Sequence, residues 1–140
     1  MAKQLSVFIE NRQGRLGEVL KVLKENNVNI LSLSLADTTE YGLLRLLVDK
    51  PELGKEKLSS DGFATMLTNV LVVQISHKAG SLQTLLEILA KNDINVEYMY
   101  GLSTEGLDAK VVLKSNDTEK AYEILKANGV ETLTTEDLTK

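Results

Sequence analysis

The sequence is poor in the residues that carry most enzyme chemistry. It contains no cysteine and has one histidine, His77. The missing cysteine excludes disulfide bonds, thiol catalysis and thiolate metal sites, and a single histidine leaves no cluster of metal ligands. The acidic residues are many but scattered, so that no pair stands out as a general acid and base. The residues therefore predict a protein that is not an enzyme and that needs no cofactor or metal.

The charge and hydropathy patterns exclude two further classes of protein. The net charge is -4, and no stripe of basic residues with interleaved aromatics appears, which argues against nucleic acid as a partner. No apolar run is long enough to cross a membrane, and the first residues lead directly into a strand pattern without a signal peptide. We therefore expect a cytoplasmic protein that binds neither nucleic acid nor membranes.

The chain contains an internal repeat at a constant offset of 66 residues, as from Gly14 to Gly80 and from Asn29 to Asn95. A repeat of this length indicates two copies of one fold. We place domain 1 at residues 1–68 and domain 2 at 69–140. Each copy is near the lower size limit for a self-sufficient core, so the two are expected to pack together.

Each copy shows the order β-α-β-β-α-β, which is the ferredoxin-like split unit. The predicted fold class is α+β, with two such domains in tandem, antiparallel sheets lying side by side and helices on one face. Strands are predicted around 5–9 and 71–75 and over 28–36, 41–49, 63–67, 94–103, 107–114 and 130–135; helices are predicted after Gly14 and Gly80 and over 51–60 and 117–128.

The predicted strand at 43–48 is apolar on both faces apart from Arg45. Because helices cover only one face of a split βαβ sheet, a second cover is expected. Packing of sheet on sheet, within the chain or in a homodimer, would supply it. The alternative is simply an apolar strand in a small domain.

A glycine precedes the predicted helix start in each repeat. Gly14 follows Asn11 to Gln13, and Gly80 follows His77 to Ala79. Free N–H groups and the helix dipole favour a carboxylate or phosphate there, and glycine lets a ligand approach the main chain closely. The alternative is that each glycine only makes the turn from strand to helix. The recurrence of the pattern favours the ligand site.

Three further polar residues are candidates for the same site. Asn29 and Asn95 are placed where the second strand of each copy begins, beside the first loop, and an amide there could bind both the ammonium and the carboxylate of an amino acid. The alternative is that both asparagines satisfy local turn backbone. His77 is either a polar edge of the ligand site, with a pH-sensitive charge, or a solvated loop residue.

Residues 9–16 and 26–30 resemble the ACT domain, a small regulatory ligand-binding module. The likeness recurs at 75–82 and 93–96 and thus covers essentially the whole chain. The first copy looks especially like the modules of phosphoglycerate dehydrogenase and of acetohydroxyacid synthase regulatory subunits. The resemblance implies a βαββαβ fold in which effector amino acids bind at the seam between the first loop of one domain and the second strand of its neighbour.

The resemblance also implies a set of contact residues. The proline common before the loop glycine of the family is Gln13 in one copy and Ala79 in the other, and Asn11 corresponds to His77, so the two half-sites are expected to be unequal. The implied ligand contacts are Asn11, Gln13, Gly14, Arg15, Leu16, Asn29, Ile30, His77, Ala79, Gly80, Ser81, Leu82, Asn95 and Val96.

The sequence therefore predicts a stand-alone tandem regulatory protein. It is expected to bind a free amino acid at the interface between its domains, to form a homodimer and to signal to a metabolic enzyme. The alternative is a non-sensing regulatory or scaffolding subunit that docks an enzyme of amino-acid metabolism, similar to the small subunit of acetohydroxyacid synthase.

Overall fold

The computed structural model describes residues 1–37, 40–76, 78–102 and 108–139. Within them lie seven strands and five helices. The strands are β1 Ala2–Glu10, β2 Ile30–Asp37, β3 Tyr41–Val48, β4 Ala64–Ser76, β5 Val96–Leu102, β6 Asp108–Ser115 and β7 Glu131–Leu133. The helices are α1 Arg15–Glu25, α2 Pro51–Ser60, α3 Ser81–Lys91, α4 Thr118–Ala127 and α5 Thr135–Leu138.

The chain divides into two units, which repeat one topology. The N-terminal unit is Lys3–Thr68, and the C-terminal unit is Asn69–Lys140 with Met1–Ala2. The strand order is β2-β3-β1-β4 in the first and β5-β6-β4-β7 in the second. The registers correspond, with Leu5 opposite Leu46 in one unit and Leu71 opposite Leu113 in the other. The prediction of two ferredoxin-like α+β repeats is confirmed.

The core of each unit lies between the sheet and its helices. In β1, the alternate residues Leu5, Val7 and Ile9 are buried in a cluster with residues of α1 and α2. In β4, Leu71 and Val73 belong to the equivalent cluster, with residues of α3 and α4. This alternation follows from the two-residue period of a strand, which sends every second side chain to the same face.

Some side chains on the face of each sheet opposite the helices are also buried. Leu47 on β3 and Val72 and Val112 on β4 and β6 are fully buried, although they lie outside the two helix-side clusters. Strand alternation turns these side chains away from the helices. What lies against this face stays a prediction.

The prediction of separate strands ending at 67 and starting at 71 is wrong. The structure has one strand, β4, from Ala64 to Ser76, and the division between the units falls inside it. Thr68, Asn69 and Val70 include no glycine or proline to make a turn, and β-branched residues favour extended backbone. The last residues of one repeat therefore continue directly into the first strand of the next.

Several predicted element ends shift by a few residues. β2 begins at Ile30 rather than at 28, because the N–H of Val28 donates to Leu23 O and closes the end of α1. Asn27 has the left-handed φ of 55° expected of a helix-ending asparagine. The predicted strand ends at 103 and 107 lie outside the described residues.

The C-terminal end of the chain forms a short helix that the sequence analysis missed. The strand predicted over 130–135 is present as β7 but is only three residues long, and α5 follows it. The Thr134 side chain accepts from the N–H of Asp137, whose carboxylate accepts from the N–H of Thr134. This is a capping box, and the spacing of Thr134 and Asp137 was its signal in the sequence.

Candidate functional site

The two loop glycines adopt the same left-handed conformation at the start of their helices. Gly14 has a φ of 89° and Gly80 a φ of 85°, a region that other residues enter only with strain. A Cβ on either glycine would meet no atom within 4 Å. Backbone conformation, and not close packing, therefore explains the need for glycine, and the space beside each turn is open.

Both helices begin without a side-chain cap from the described residues. The first helical N–H of each is turned back onto the loop, from Arg15 to Arg12 O in α1 and from Ser81 to Lys78 O in α3. The next N–H groups remain available to an anion. The first turn of α1 contains Glu18, whereas that of α3 contains no acidic residue. The start of α3 is therefore the more favourable of the two for a carboxylate.

The predicted contacts of the two loops differ in their surroundings. Most of the loop side chains are exposed, but Leu16 packs partly against the helix-side core. The Arg15 side chain donates to Glu18 and lies over the ring of Phe63, with 4.2 Å between Arg15 Cζ and the ring centroid. His77 lies outside the described residues. The exposed loop residues are Asn11, Gln13, Gly14, Ala79, Gly80 and Leu82.

The asparagines at the second strand of each unit hold neighbouring backbone in place. The N–H and side-chain amide of Asn29 donate to the two carboxylate oxygens of Asp49, at 2.8 and 3.2 Å, and the N–H of Asp49 donates back to Asn29 O. In the other unit, the N–H of Asn95 donates to Asn116 Oδ1 at 3.0 Å, and Asn116 returns a backbone bond. These bonds favour the structural role of both asparagines.

The expectation that the asparagine lies beside the first loop of the same unit is wrong. Gly14 precedes α1 and Asn29 follows it, so the 11 residues of the helix lie between them. At 1.5 Å per residue they are separated by about 16 Å along its axis. Moreover, Ile30 and Val96 pack against the helix-side cores. One unit alone does not bring the two halves of the predicted site together.

Each unit contains a cleft next to a predicted site residue. The cleft of the N-terminal unit, of about 320 Å³, lies at the end of α1 and includes Asn29 and Ile30. The other, of about 390 Å³, lies at the start of α3 and includes Ser81; we call it the α3 cleft. The residues that line the α3 cleft are Gln74, Ile75, Ser76, Ser81, Thr84, Asp108, Gly129, Val130 and Glu131.

The α3 cleft is polar and partly preorganised. Ser76 Oγ and Ser81 Oγ are 2.9 Å apart, and Gln74 Nε2 donates to Asp108 Oδ2 at 3.0 Å. The hydroxyl of Thr84 donates to Gly80 O within the first turn of α3. Sequence reasoning identified Ser81 but missed Asp108 and Glu131, because they come from strands that are distant in sequence.

The described ranges contain neither a cluster of metal ligands nor a membrane-spanning helix. Among those residues, no three histidine, aspartate or glutamate side chains are grouped so as to hold a metal ion. Likewise, none of the helices in the described part of the chain has the length and apolar character needed to span a membrane.

Comparison with known proteins gives a family and a set of structural relatives. A family model described as an ACT domain pair matches residues 1–140. The crystal structure of protein BT0572 from Bacteroides thetaiotaomicron is 35% identical, with 99% of this chain and 96% of that chain covered and a TM-score of 0.93. No curated protein matches the sequence.

Regulatory subunits of aspartate kinase share the fold at low identity. The ligand-free subunit from Thermus thermophilus is 16% identical over 89% of this chain and 91% of that chain, with a TM-score of 0.62. The subunit from Thermus flavus is 14% identical over 99% of this chain and 92% of that chain, with a TM-score of 0.63.

Proposed function

The chain belongs to the ACT domain family, as a pair of such domains, and from this membership we propose that it is a non-catalytic regulatory protein that binds a free amino acid. The amino acid binds at the loops that precede α1 and α3, and binding is passed on to a partner enzyme of metabolism. The fold shared with regulatory subunits of aspartate kinase supports a partner of this kind.

The observation that supports the proposal best is the repeated turn. Gly14 and Gly80 hold the same left-handed conformation, and each leaves a helix start uncapped by the described side chains and open to solvent. Such a start offers N–H donors and the positive end of a helix dipole to the α-carboxylate of an amino acid. The absence of acidic residues from the first turn of α3 makes Gly80 the stronger of the two positions.

The proposed mechanism is a shift between conformations of the chain that differ in affinity for the ligand. A bound amino acid stabilises the conformation that holds it best, and an enzyme that contacts the chain responds to that conformation. The mechanism requires binding to be differential, since a ligand with equal affinity for both conformations shifts nothing.

A thermal-shift screen against the common free amino acids tests the proposal. At a concentration about a hundredfold above Kd, a ligand adds roughly 2.7 kcal/mol to the free energy of unfolding. Ser81→Asp places a carboxylate at the first position of α3 and should weaken the response by repelling the ligand's α-carboxylate. Thr118→Asp makes the same change at the first position of α4 and is the matched control. The absence of any response in the wild-type chain would overturn the proposal.

A docking subunit is the second candidate function, and one surface favours it. Phe8 is 46% exposed and Tyr41 58% exposed on the helix-free face of the N-terminal unit, and Leu43 lies opposite Phe8 in the register. The equivalent positions in the C-terminal unit are polar, with Gln74 at the place of Phe8. Phe8→Ser should abolish enzyme binding if the chain only docks, with no dependence on any amino acid.

The proposed homodimer is supported by a second set of exposed apolar side chains. Leu33 is 49% and Leu35 47% exposed on β2, which is an edge strand. An uncovered edge with apolar side chains is suited to pairing with another chain. Light scattering of the wild-type chain and of Leu33→Lys tests this: the wild type is expected to be dimeric and the variant to shift toward monomer.

A further inference from the structure

The α3 cleft has a counterpart position in the N-terminal unit, and there an arginine side chain is present. At the repeat offset, Ser81 corresponds to Arg15. From β6 onward the offset is 67, since Leu113 corresponds to Leu46, so Val130 corresponds to Phe63. The guanidinium of Arg15 lies over Phe63, and its side chain is only 17% exposed.

The C-terminal unit thus lacks the guanidinium group and the aromatic ring that the N-terminal unit has at these two positions. Serine and valine are much smaller than arginine and phenylalanine, and both line the cleft of about 390 Å³. Arg15 Nε is buried and has no hydrogen-bond partner among the described residues. The arginine side chain therefore fills enclosed space in the N-terminal unit. Replacement by Ser81 opens the corresponding volume to a ligand.

The charge of the side chains that line the cleft also differs from that of their counterparts in the N-terminal unit. The two carboxylates of the cleft, Asp108 and Glu131, stand where the N-terminal unit has Tyr41 and Ala64. Among the described residues that line the cleft, none is basic. In the N-terminal unit the cation Arg15 stands at the position of Ser81. The lining of the C-terminal unit has two carboxylates instead, at other positions.

We propose that the α3 cleft binds the cationic amine or guanidinium group of a small ligand, with Asp108 and Glu131 as its counter-charges. This deepens the proposed function and rests on it where the ligand is an amino acid: the α-carboxylate binds the start of α3 and the cationic side chain enters the cleft.

The polar groups of the cleft suit such a cation. Carboxylates accept charge-assisted hydrogen bonds from amines and guanidinium groups, which are roughly twice as strong as neutral ones. The hydroxyl oxygens of Ser76 and Ser81, which also line the cleft, are further acceptors. Gln74 donates to Asp108 and fixes the direction of one carboxylate. Lys110, opposite Gln74 in the register, is not part of the lining.

Calorimetric titration of the intact chain with matched ligand pairs tests the charge requirement. L-arginine is compared with L-citrulline, its uncharged isostere, at equal ionic strength, and L-lysine with L-norleucine. We expect the cationic member of a pair to bind at least about tenfold more tightly, which corresponds to about 1.4 kcal/mol. Equal affinity within both pairs would overturn the proposal, as would the absence of binding by both cationic ligands.

Two variants and a control locate the binding. Glu131→Gln and Asp108→Asn should each weaken binding of the cationic ligand about tenfold. Glu123→Gln removes an exposed carboxylate from α4 and should leave affinity unchanged. Ser81→Arg rebuilds the side chain of the N-terminal unit and should abolish binding, with folding checked by circular dichroism. Unchanged affinity in Glu131→Gln and Asp108→Asn would contradict the assignment.

Agmatine separates failure of this inference from failure of the proposed function, because it has the guanidinium but no carboxylate. Ser81→Asp should weaken binding of a neutral amino acid and strengthen binding of agmatine, since the added carboxylate repels one and attracts the other. Response to neutral amino acids without response to agmatine, arginine or lysine would overturn the cleft proposal and leave the proposed function intact. Binding of agmatine with no response to any amino acid would overturn the proposed function and leave the cleft proposal intact.

Discussion

The starts of α1 and α3 have the same backbone and different side chains. Both follow a glycine with φ near 85–89°, and both turn their first N–H back onto the loop. After the glycine, however, one unit places Arg15 over Phe63, and the other places Ser81 beside an open cleft. The duplication thus preserved the backbone at the start of each helix, while the side chains around it diverged in volume and charge.

The core should respond alike in the two units. Leu58 in α2 and Leu125 in α4 are equivalent and fully buried. We expect Leu58→Ala and Leu125→Ala each to cost roughly 2–5 kcal/mol of unfolding free energy, because each leaves a cavity. Urea denaturation followed by circular dichroism measures this. Met66→Ala, at a side chain that is 50% exposed, is the control, and a Leu125→Ala cost as small as that of Met66→Ala would break the equivalence.

The loop glycines should also respond alike. Gly14→Ala and Gly80→Ala are each expected to cost about 1–2 kcal/mol, since both residues hold a positive φ. Gly17→Ala should instead stabilise by about 1 kcal/mol, because Gly17 is helical and its Cβ would meet nothing within 4 Å. The same urea titration checks all three. If Gly80→Ala were stabilising, as Gly17→Ala is expected to be, the two turns would not share one conformation.

The contact of Arg15 with Phe63 should distinguish the units. Arg15→Ser removes the cation–π contact and part of the packing over the ring, and we expect a loss of about 1 kcal/mol. Arg12→Ser removes an exposed partner of Glu10 and should cost less than about 0.5 kcal/mol. Equal costs, measured by thermal denaturation of both variants, would mean that the ring contact adds nothing.

The smallest difference concerns two equivalent glutamates in the first turns of α2 and α4. A hydrogen bond from Lys3 lowers the pKa of Glu52 below its ordinary value of 4.5. Glu119 is its counterpart, and the position of Lys3 is Asn69 in that repeat. Because the pair is exposed, we expect Glu52→Gln to cost only about 0.2–1 kcal/mol at neutral pH. Glu119→Gln should cost less.

The pH dependence of the Glu52→Gln effect has a definite sign. A lowered pKa in the folded state stabilises the protein above the ordinary pKa of 4.5, and this stabilisation is lost as the pH falls through the lowered value. The difference between wild type and Glu52→Gln should therefore shrink on acidification. Urea midpoints across that pH range test it, and a difference that grew toward acid pH would contradict the assigned ion pair.

The order of elements and the loop glycines could be predicted from the sequence because both are local signals. Strand and helix periods, and glycine before a helix start, are visible within one repeat. The continuity of β4 could not be inferred with the same certainty, since its two halves pair with different strands. The pairing of Asn29 with Asp49 joins residues 20 positions apart, and no local pattern in the sequence predicts it.

The α3 cleft could be predicted from the sequence only in part. The replacements of Arg15 by Ser81 and of Phe63 by Val130 are visible when the repeats are aligned. Their meaning is not visible, because only the fold brings Asp108, Glu131 and Ser81 to one cavity. A systematic search for residues that differ between the copies would have found the candidates but not their proximity.

Amide chemical-shift mapping tests the central claim most directly. The isotope-labelled chain is titrated with each amino acid that stabilises it, and the backbone N–H resonances are followed. We predict saturable shifts that are largest for the residues after Gly80, at Leu82 and Gln83, and smaller ones at the equivalent Leu16 and Gly17, because these N–H groups are left to a carboxylate. The absence of saturable shifts at both helix starts would contradict the account.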